Sequence, residues 1–298
     1  MRARNLLGIT LGVVFLVSWL SIVFSSSVQD FMMANRSWNG LNDSSQRLGI
    51  EVTPNPDTVM PEPGNSVLII IPYLPYQDQE LKTLVEFVNG GGTLLVMDDY
   101  GYGNQVLGAL GLDMEFVGAP MLDPYINYRN QWLPLVTDLA PELKDAGIEQ
   151  LVLNHATALT LSSRYKTLAR SSDMSFIDIN GNAFRDKDEP KGPFAVAART
   201  MVGNGTVVAV SDPSILINSM VGLGDNDKFM KQIISQTGAA RVALDTSHLS
   251  KAPLDHSKDA WAMARERLAL PYSQVLLVGT VLTLSFMSFR GRTERSRN

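Results

Sequence analysis

Three sets of side chains in this 298-residue chain have types and spacings that could do chemistry. The sharpest is D-I-N-G-N-A-F-R-D-K-D-E, residues 178–189. Laid on a twelve-position cation loop, it offers Asp178, Asn180, Asn182, the Phe184 carbonyl, Asp186 and Glu189. All are oxygen donors, as a hard cation such as Ca2+ requires. Ala183 stands where the sharp turn favours glycine, with Gly181 two residues earlier, and no helix pattern flanks the run. The bland alternative is an acidic hairpin loop, which Asn, Gly and Asp form without metal. A structural Ca2+ that braces a long loop is the expected cofactor, with no part in catalysis.

The second set is Tyr73, Asp98, Asp99, Tyr100, Ser211 and Asp212. Each follows an apolar run of strand length, so all should lie at the carboxyl ends of strands, where open α/β sheets bind ligands. An aspartate there also caps the next helix or turn, and the two readings are close. The third set is His155, His248 and His256, and with no G-x-S-x-G or H-E-x-x-H around them a surface or structural role is expected. A dinucleotide fingerprint fails as well. After the strand, Gly101 and Gly103 fit but Val106 occupies the third position, and no G-x-x-x-x-G-K-[ST] occurs, so no nucleotide cofactor is expected.

The elements that must position these groups can be read from periodicity. S-V-L-I-I-I-P-Y is a strand buried on both faces. Q-D-Q-E-L-K-T-L-V-E-F-V-N-G-G-G follows as a helix with Leu81, Leu84, Val85 and Val88 on one face, and T-L-L-V-M is a second buried strand. Strand, helix, strand with short links is a parallel βαβ unit, so the fold class is α/β with a mostly parallel sheet flanked by helices. Further on, Gly203-Asn204-Gly205 joins two apolar strands as a hairpin, Asp212-Pro213 opens a helix, and D-N-D-K-F-M-K-Q-I-I-S-Q-T-G is another helix with Phe229, Ile233 and Ile234 inward. A helix over Trp38 to Leu48 and short strands at I-E-V-T-P, E-Q-L-V-L-N, A-L-T-L and R-V-A-L-D complete the reading.

Both ends are apolar and then basic. Leu6 to Phe24 follows Arg2 and Arg4, and Leu268 to Phe289 precedes Arg290, Arg292, Arg295 and Arg297. Each run is long enough to cross a bilayer, and an uncleaved anchor is preferred to a cleaved signal peptide for the first. The expected organisation is a cytoplasmic tail and transmembrane helix over residues 1–27, an extracytoplasmic α/β domain over 28–262, and a second transmembrane helix with a basic tail over 266–298. Basic tails place both termini in the cytoplasm of a two-span protein of the cell membrane, although Lys258, Arg265 and Arg267 run against that rule. The whole chain has net charge −5. The tails hold six basic and one acidic residue, which leaves 19 basic and 29 acidic between them, a net of −10 that repels phosphate backbones and argues against nucleic acid as a partner. Cysteine is absent, so disulfides, thiolate nucleophiles and cysteine metal sites are excluded. Sequons at Asn35, Asn42 and Asn204 suit a translocated domain but carry little weight.

The pieces V-L-I-I-I-P-Y, L-V-E-F-V-N-G-G-G-T-L-L-V-M-D-D-Y-G, D-I-N-G-N with D-E-P-K-G-P-F-A-V-A-A, V-V-A-V-S-D-P-S-I-L-I-N and D-N-D-K-F-M-K-Q-I-I occur here in one order. In that order the chain resembles domain of unknown function family 4350 over roughly residues 25 to 290. The resemblance implies an anchored extracytoplasmic domain similar to class I glutamine amidotransferases. Glutamine hydrolysis by that fold needs a cysteine, and this chain has none. By analogy alone, the resemblance also implies a membrane-protein partner, in a complex with a transporter or a MoxR-type ATPase system. The leading expectation is therefore a non-enzymatic, membrane-anchored binding or scaffold protein that takes a partner protein or a small-molecule ligand of unknown identity. The alternative is a carboxylate- or metal-dependent hydrolase using Asp98, Asp99 or Asp212.

Overall fold

A computed structural model describes residues 3–24, 29–53, 56–250, 253, 255–258 and 260–261. The chain divides into two compact units, Met1–Ser25 with Lys251–Asn298, and Ser26–Ser250.

In the first unit, helix α1 (Ala3–Phe24) leaves Leu11, Val13, Val14, Phe15, Leu16 and Val17 exposed, and Trp19 meets Trp261 edge-on at 6.4 Å. Among the described residues no helix is long and apolar enough to cross a membrane. This corrects the expectation of an N-terminal transmembrane helix. The second apolar run, Leu268 to Phe289, lies outside the described residues. The two-span topology is therefore not supported, and neither is the placement in the cell membrane with cytoplasmic tails that rested on it.

The second unit is a sheet with helices on both faces. In chain order it runs α2 (Asn42–Leu48), β1 (Ile50–Thr53), β2 (Ser66–Ile70), α3 (Asp78–Asn89), β3 (Thr93–Met97), α4 (Gly103–Ala109) and β4 (Met114–Phe116). Then come β5 (Met121–Leu122), β6 (Leu135–Val136), β7 (Asp138–Leu139), α5 (Pro141–Asp145), β8 (Leu151–Val152), β9 (Leu159–Leu161), β10 (Lys166–Arg170) and β11 (Phe176–Ile177). The unit closes with β12 (Ala195–Val202), β13 (Gly205–Val210), α6 (Asn226–Ser235) and β14 (Arg241–Asp245). The main strand order is β1-β14-β2-β3-β13-β12-β10-β7, with β9 also on β12 and β4 on β9.

The sheet is mixed, which corrects the expectation of a mostly parallel one. Strands β1, β14, β2, β3 and β13 are parallel neighbours, but β12, β10, β7, β9 and β4 all pair antiparallel. The cause is local. Val202 pairs with Gly205, so Gly203 and Asn204 form a two-residue link, and a link that short can only reverse the chain. Gly203 has φ 55°, in the left-handed region that such turns require.

Strands β2 and β3 are buried at every residue, as strands covered on both faces must be. Alternation sends Val67, Ile69, Leu95, Met97, Val208 and Val210 into one core with Phe229, Met230 and Ile233 of α6. It sends Leu68, Ile70, Leu94, Val96, Val207 and Ala209 into the other, with Leu84, Phe87 and Val88 of α3 and Val106 and Leu107 of α4. Helix α3 opens with a capping box, in which Glu80 Oε2 accepts the Gln77 N–H at 2.7 Å. The helix read at Asp212-Pro213 is a single 3-10 turn, Pro213–Leu216, capped by the Asp212 side chain as expected.

Candidate functional site at the carboxyl edge of the sheet

Because side chains alternate along a strand, neighbours at a strand end look to opposite faces. Asp98 continues the face of Leu94 and Val96, whereas Asp99 continues that of Leu95 and Met97, which Tyr73 shares. The paired aspartates therefore do separate work.

Asp98 shapes the loop into α4. Its Oδ1 accepts the Gly101 N–H at 2.8 Å and its Oδ2 the Gly103 N–H at 2.6 Å. A Cβ on Gly103 would stand 2.6 Å from Oδ2 and 2.7 Å from the Phe116 ring, and one on Gly101 would strike the Pro72 carbonyl. The glycine pair that resembles a nucleotide loop thus serves the close approach of backbone to carboxylate. Burial pushes the Asp98 carboxyl up to about 6, against the opposing pull of those N–H groups.

Asp99 accepts the Tyr100 N–H at 2.7 Å and faces the Tyr73 hydroxyl, 3.3 and 3.4 Å from its two oxygens. Burial raises its pKa, and these two bonds oppose the rise. Burial, then the charges of Asp99 and Asp212, raise the Tyr73 hydroxyl far above the ordinary range. Asp212 is fully buried. Its Oδ1 accepts the Ser214 N–H and its Oδ2 the Asn154 N–H, both at 2.7 Å. Burial pushes this carboxyl up to about 8, the two N–H groups oppose the shift, and the Asp99 charge adds to it.

The Ser211 hydroxyl is buried without a hydrogen-bond partner, while its backbone ties β13 to Val196 and Thr157. The Tyr100 hydroxyl donates to the His155 carbonyl, and burial followed by the Asp99 charge raises it. His155 has φ 55°, stacks on Trp132 with ring centroids 4.7 Å apart, and has its pKa lowered by burial. The structure thus brings Tyr73, Asp98, Asp99, Tyr100 and Asp212 to one edge. Among the described residues no histidine ring bonds any of the three carboxylates there.

Sequence reasoning missed a second group on this edge. His248, read as surface or structural, is buried beyond the end of β14. Its Nδ1 lies 2.9 Å from Asp245 Oδ2, its Nε2 lies 3.4 Å from Glu80 Oε2, and its ring stacks on Tyr76 at 3.5 Å. Burial acts to raise the Asp245 pKa, but the His248 and Ser247 hydrogen bonds carry it below the ordinary value. The only available signal was D-T-S-H directly after an apolar run. His256 is exposed in the other unit.

The residue 178–189 loop joins β11 to β12 and closes on itself. Asp178 accepts the N–H groups of Gly181 at 2.9 Å, Asn182 at 3.1 Å and Ala183 at 2.9 Å. Glu189 accepts those of Ile179 and Asp186, and the amides of Asn180 and Asn182 both donate to Asp186 Oδ2. Ala183 takes φ 61°, the left-handed turn for which glycine is favoured. Among the described residues no three His, Cys, Asp or Glu side chains are grouped so as to hold a metal ion.

The family described as a domain of unknown function (DUF4350) matches residues 34–234, well over half of the chain. The chain belongs to this family. No curated protein matches it. Among solved structures, the mmIFT52 N-terminal domain is similar with a TM-score of 0.54 at 13% identity, over 72% of this chain and 96% of that one. That likeness shows the fold alone. A cytoplasmic protein of Salmonella typhimurium LT2 (TM-score 0.40, 12% identity, 64% of this chain and 79% of that one) is more distant. So is a β-galactosidase from Bacillus circulans sp. alkalophilus (0.35, 11%), of which the match spans 58% of this chain and only 22% of that one. None of these likenesses bears on the amidotransferase resemblance.

Proposed function

We propose that this DUF4350 domain is a non-catalytic binding domain that engages a partner protein at the aromatic rim of the sheet's carboxyl edge. The observation that carries this reading is the use made of the carboxylates. Both oxygens of Asp98 and both oxygens of Asp212 accept backbone N–H groups, so two of the three strand-end aspartates are committed to holding loops. What faces solvent there is aromatic. Tyr100 and Tyr102 are 44% and 46% exposed. Through His155 and Trp132, Tyr100 connects to the loop that carries the exposed Tyr125 and Tyr128. Tyrosine supplies large contact area at low entropy cost, and it is enriched where proteins meet.

The test is co-purification of the full chain with its complex after cross-linking in its own host. Tyr100→Ala with Tyr125→Ala should lose the partner while the protein still unfolds in one cooperative transition, whereas retention of the partner would remove the reading.

A second reading has one observation in its favour. Asp212, its carboxyl pushed up to about 8, feels the charge of Asp99, so two carboxylates stand near enough at this edge to interact. Hydrolysis of ester, phosphate or glycoside substrates that is abolished by both Asp99→Asn and Asp212→Asn would establish a hydrolase instead.

A further inference from the structure

The amino ends of the central strands hold a different kind of site. A cavity of about 420 Å³ opens there beside Thr93 of β3, Thr206 of β13, Arg199 and Thr200 of β12, Lys166 of β10 and the neighbouring Arg164. In a chain of net charge −5, three cations around one small cavity are a marked local reversal of sign.

These cations are held in place. The Arg164 guanidinium lies over the Tyr165 ring at 4.8 Å and donates to its hydroxyl at 2.6 Å. Arg199 uses one nitrogen on the Gln236 side chain and sets another 3.4 Å from Glu142 Oε1, the oxygen that Lys166 also pairs with. Although burial acts to raise it, the Lys166 ammonium and the Arg199 guanidinium hold the Glu142 carboxyl below its ordinary value. One carboxylate against three cations leaves an excess of positive charge. Gln236 and Thr237 follow the C-terminus of α6, whose dipole opposes an anion, so any anion here depends on the side-chain cations.

We propose that this cleft binds a small phosphorylated ligand, with Arg199, Lys166 and Arg164 on the phosphate and the threonine hydroxyls as further donors. The guanidinium fork matches phosphate oxygens in pairs, and lysine adds a point charge. The cavity is of the size that small molecules occupy, and the acidic remainder of the surface repels an extended polyanion. Glu142 is the internal anion with which the phosphate competes.

The test is calorimetric titration and thermal melting of the full chain with inorganic phosphate, glucose 6-phosphate, citrate, and sodium chloride at matched ionic strength. Saturable binding of both phosphates is expected, weakened about tenfold or more by Arg199→Gln and by Lys166→Gln and tightened by Glu142→Gln. The Lys166 side chain is half exposed, so Lys166→Gln decides the matter should Arg199→Gln fail to fold. A response no larger than that of chloride overturns the proposal. So does citrate binding more tightly than either phosphate, or phosphate binding that survives both substitutions unchanged.

Discussion

The Tyr73 hydroxyl stands 3.3 Å from Asp99 Oδ1 and 3.4 Å from Oδ2, joining the ends of two adjacent parallel strands. After the Tyr100 N–H, it is the next strongest of the hydrogen bonds that oppose the rise in the Asp99 pKa. Tyr73→Phe should therefore raise the Asp99 pKa further, which NMR titration of the carboxyl carbon would show. It should also cost about 0.5–1.5 kcal/mol in urea unfolding at neutral pH. An unmoved Asp99 pKa would mean that the contact carries no weight.

Asp212 makes stability depend on pH in a direction opposite to ordinary acid denaturation. Its folded pKa of about 8 lies above the ordinary 3.8, so the folded state holds a proton that the unfolded chain has released. The contribution is fully present below about pH 4 and is lost as pH rises through about 8. Asp98, raised to about 6, adds the same sign over the lower part of that window. Urea unfolding at pH 5 and pH 8.5 should show wild type losing stability between the two values. Asp212→Asn should flatten that loss while costing about 1–3 kcal/mol at pH 5, because its amide nitrogen would face a backbone N–H.

The loop after β3 should tolerate no side chain at its glycines. Gly103→Ala places a Cβ 2.6 Å from Asp98 Oδ2 and against the Phe116 ring, both packed. A loss of about 1–3 kcal/mol is expected in thermal denaturation, with a similar loss for Gly101→Ala. Gly108→Ala, where a Cβ meets nothing within 4 Å and the backbone is helical, should be neutral or slightly stabilising.

Asp178 organises its loop through three backbone N–H groups and is almost fully buried. Asp178→Ala should lower stability by about 1–3 kcal/mol in metal-free buffer. The comparison that decides the metal question is the melting temperature of the wild-type protein with and without millimolar calcium. A rise that Asp178→Ala abolishes would assign a cation to the loop.

Much of the local structure was legible because it is written in short-range patterns. The buried β2 and β3, the apolar stripe of α3, the Gly203-Asn204 turn and the Asp212 cap each depend on residues within a few positions of one another. The placement of Asp98, Asp99 and Asp212 at strand ends followed from the same patterns. Their roles did not, since a capping aspartate and a ligand-binding one look alike until their hydrogen bonds are known. The membrane reading of α1 rested on the same kind of short-range hydropathy, and the described helix did not support it.

By itself, then, the sequence determined an α/β body without thiol chemistry, the strands at its centre and the carboxylates at their ends. Only the tertiary structure decided that β14 slots between β1 and β2, which brings His248 onto Tyr76 and beside Glu80. It alone decided that β12 and β10 set Arg199 and Lys166 around one cleft. The physical reason is that hydrophobic period and turn chemistry act over a few residues, whereas strand order is chosen by which distant apolar faces bury each other best. Polar groups that such long-range pairing brings together leave no mark in the spacing of either segment.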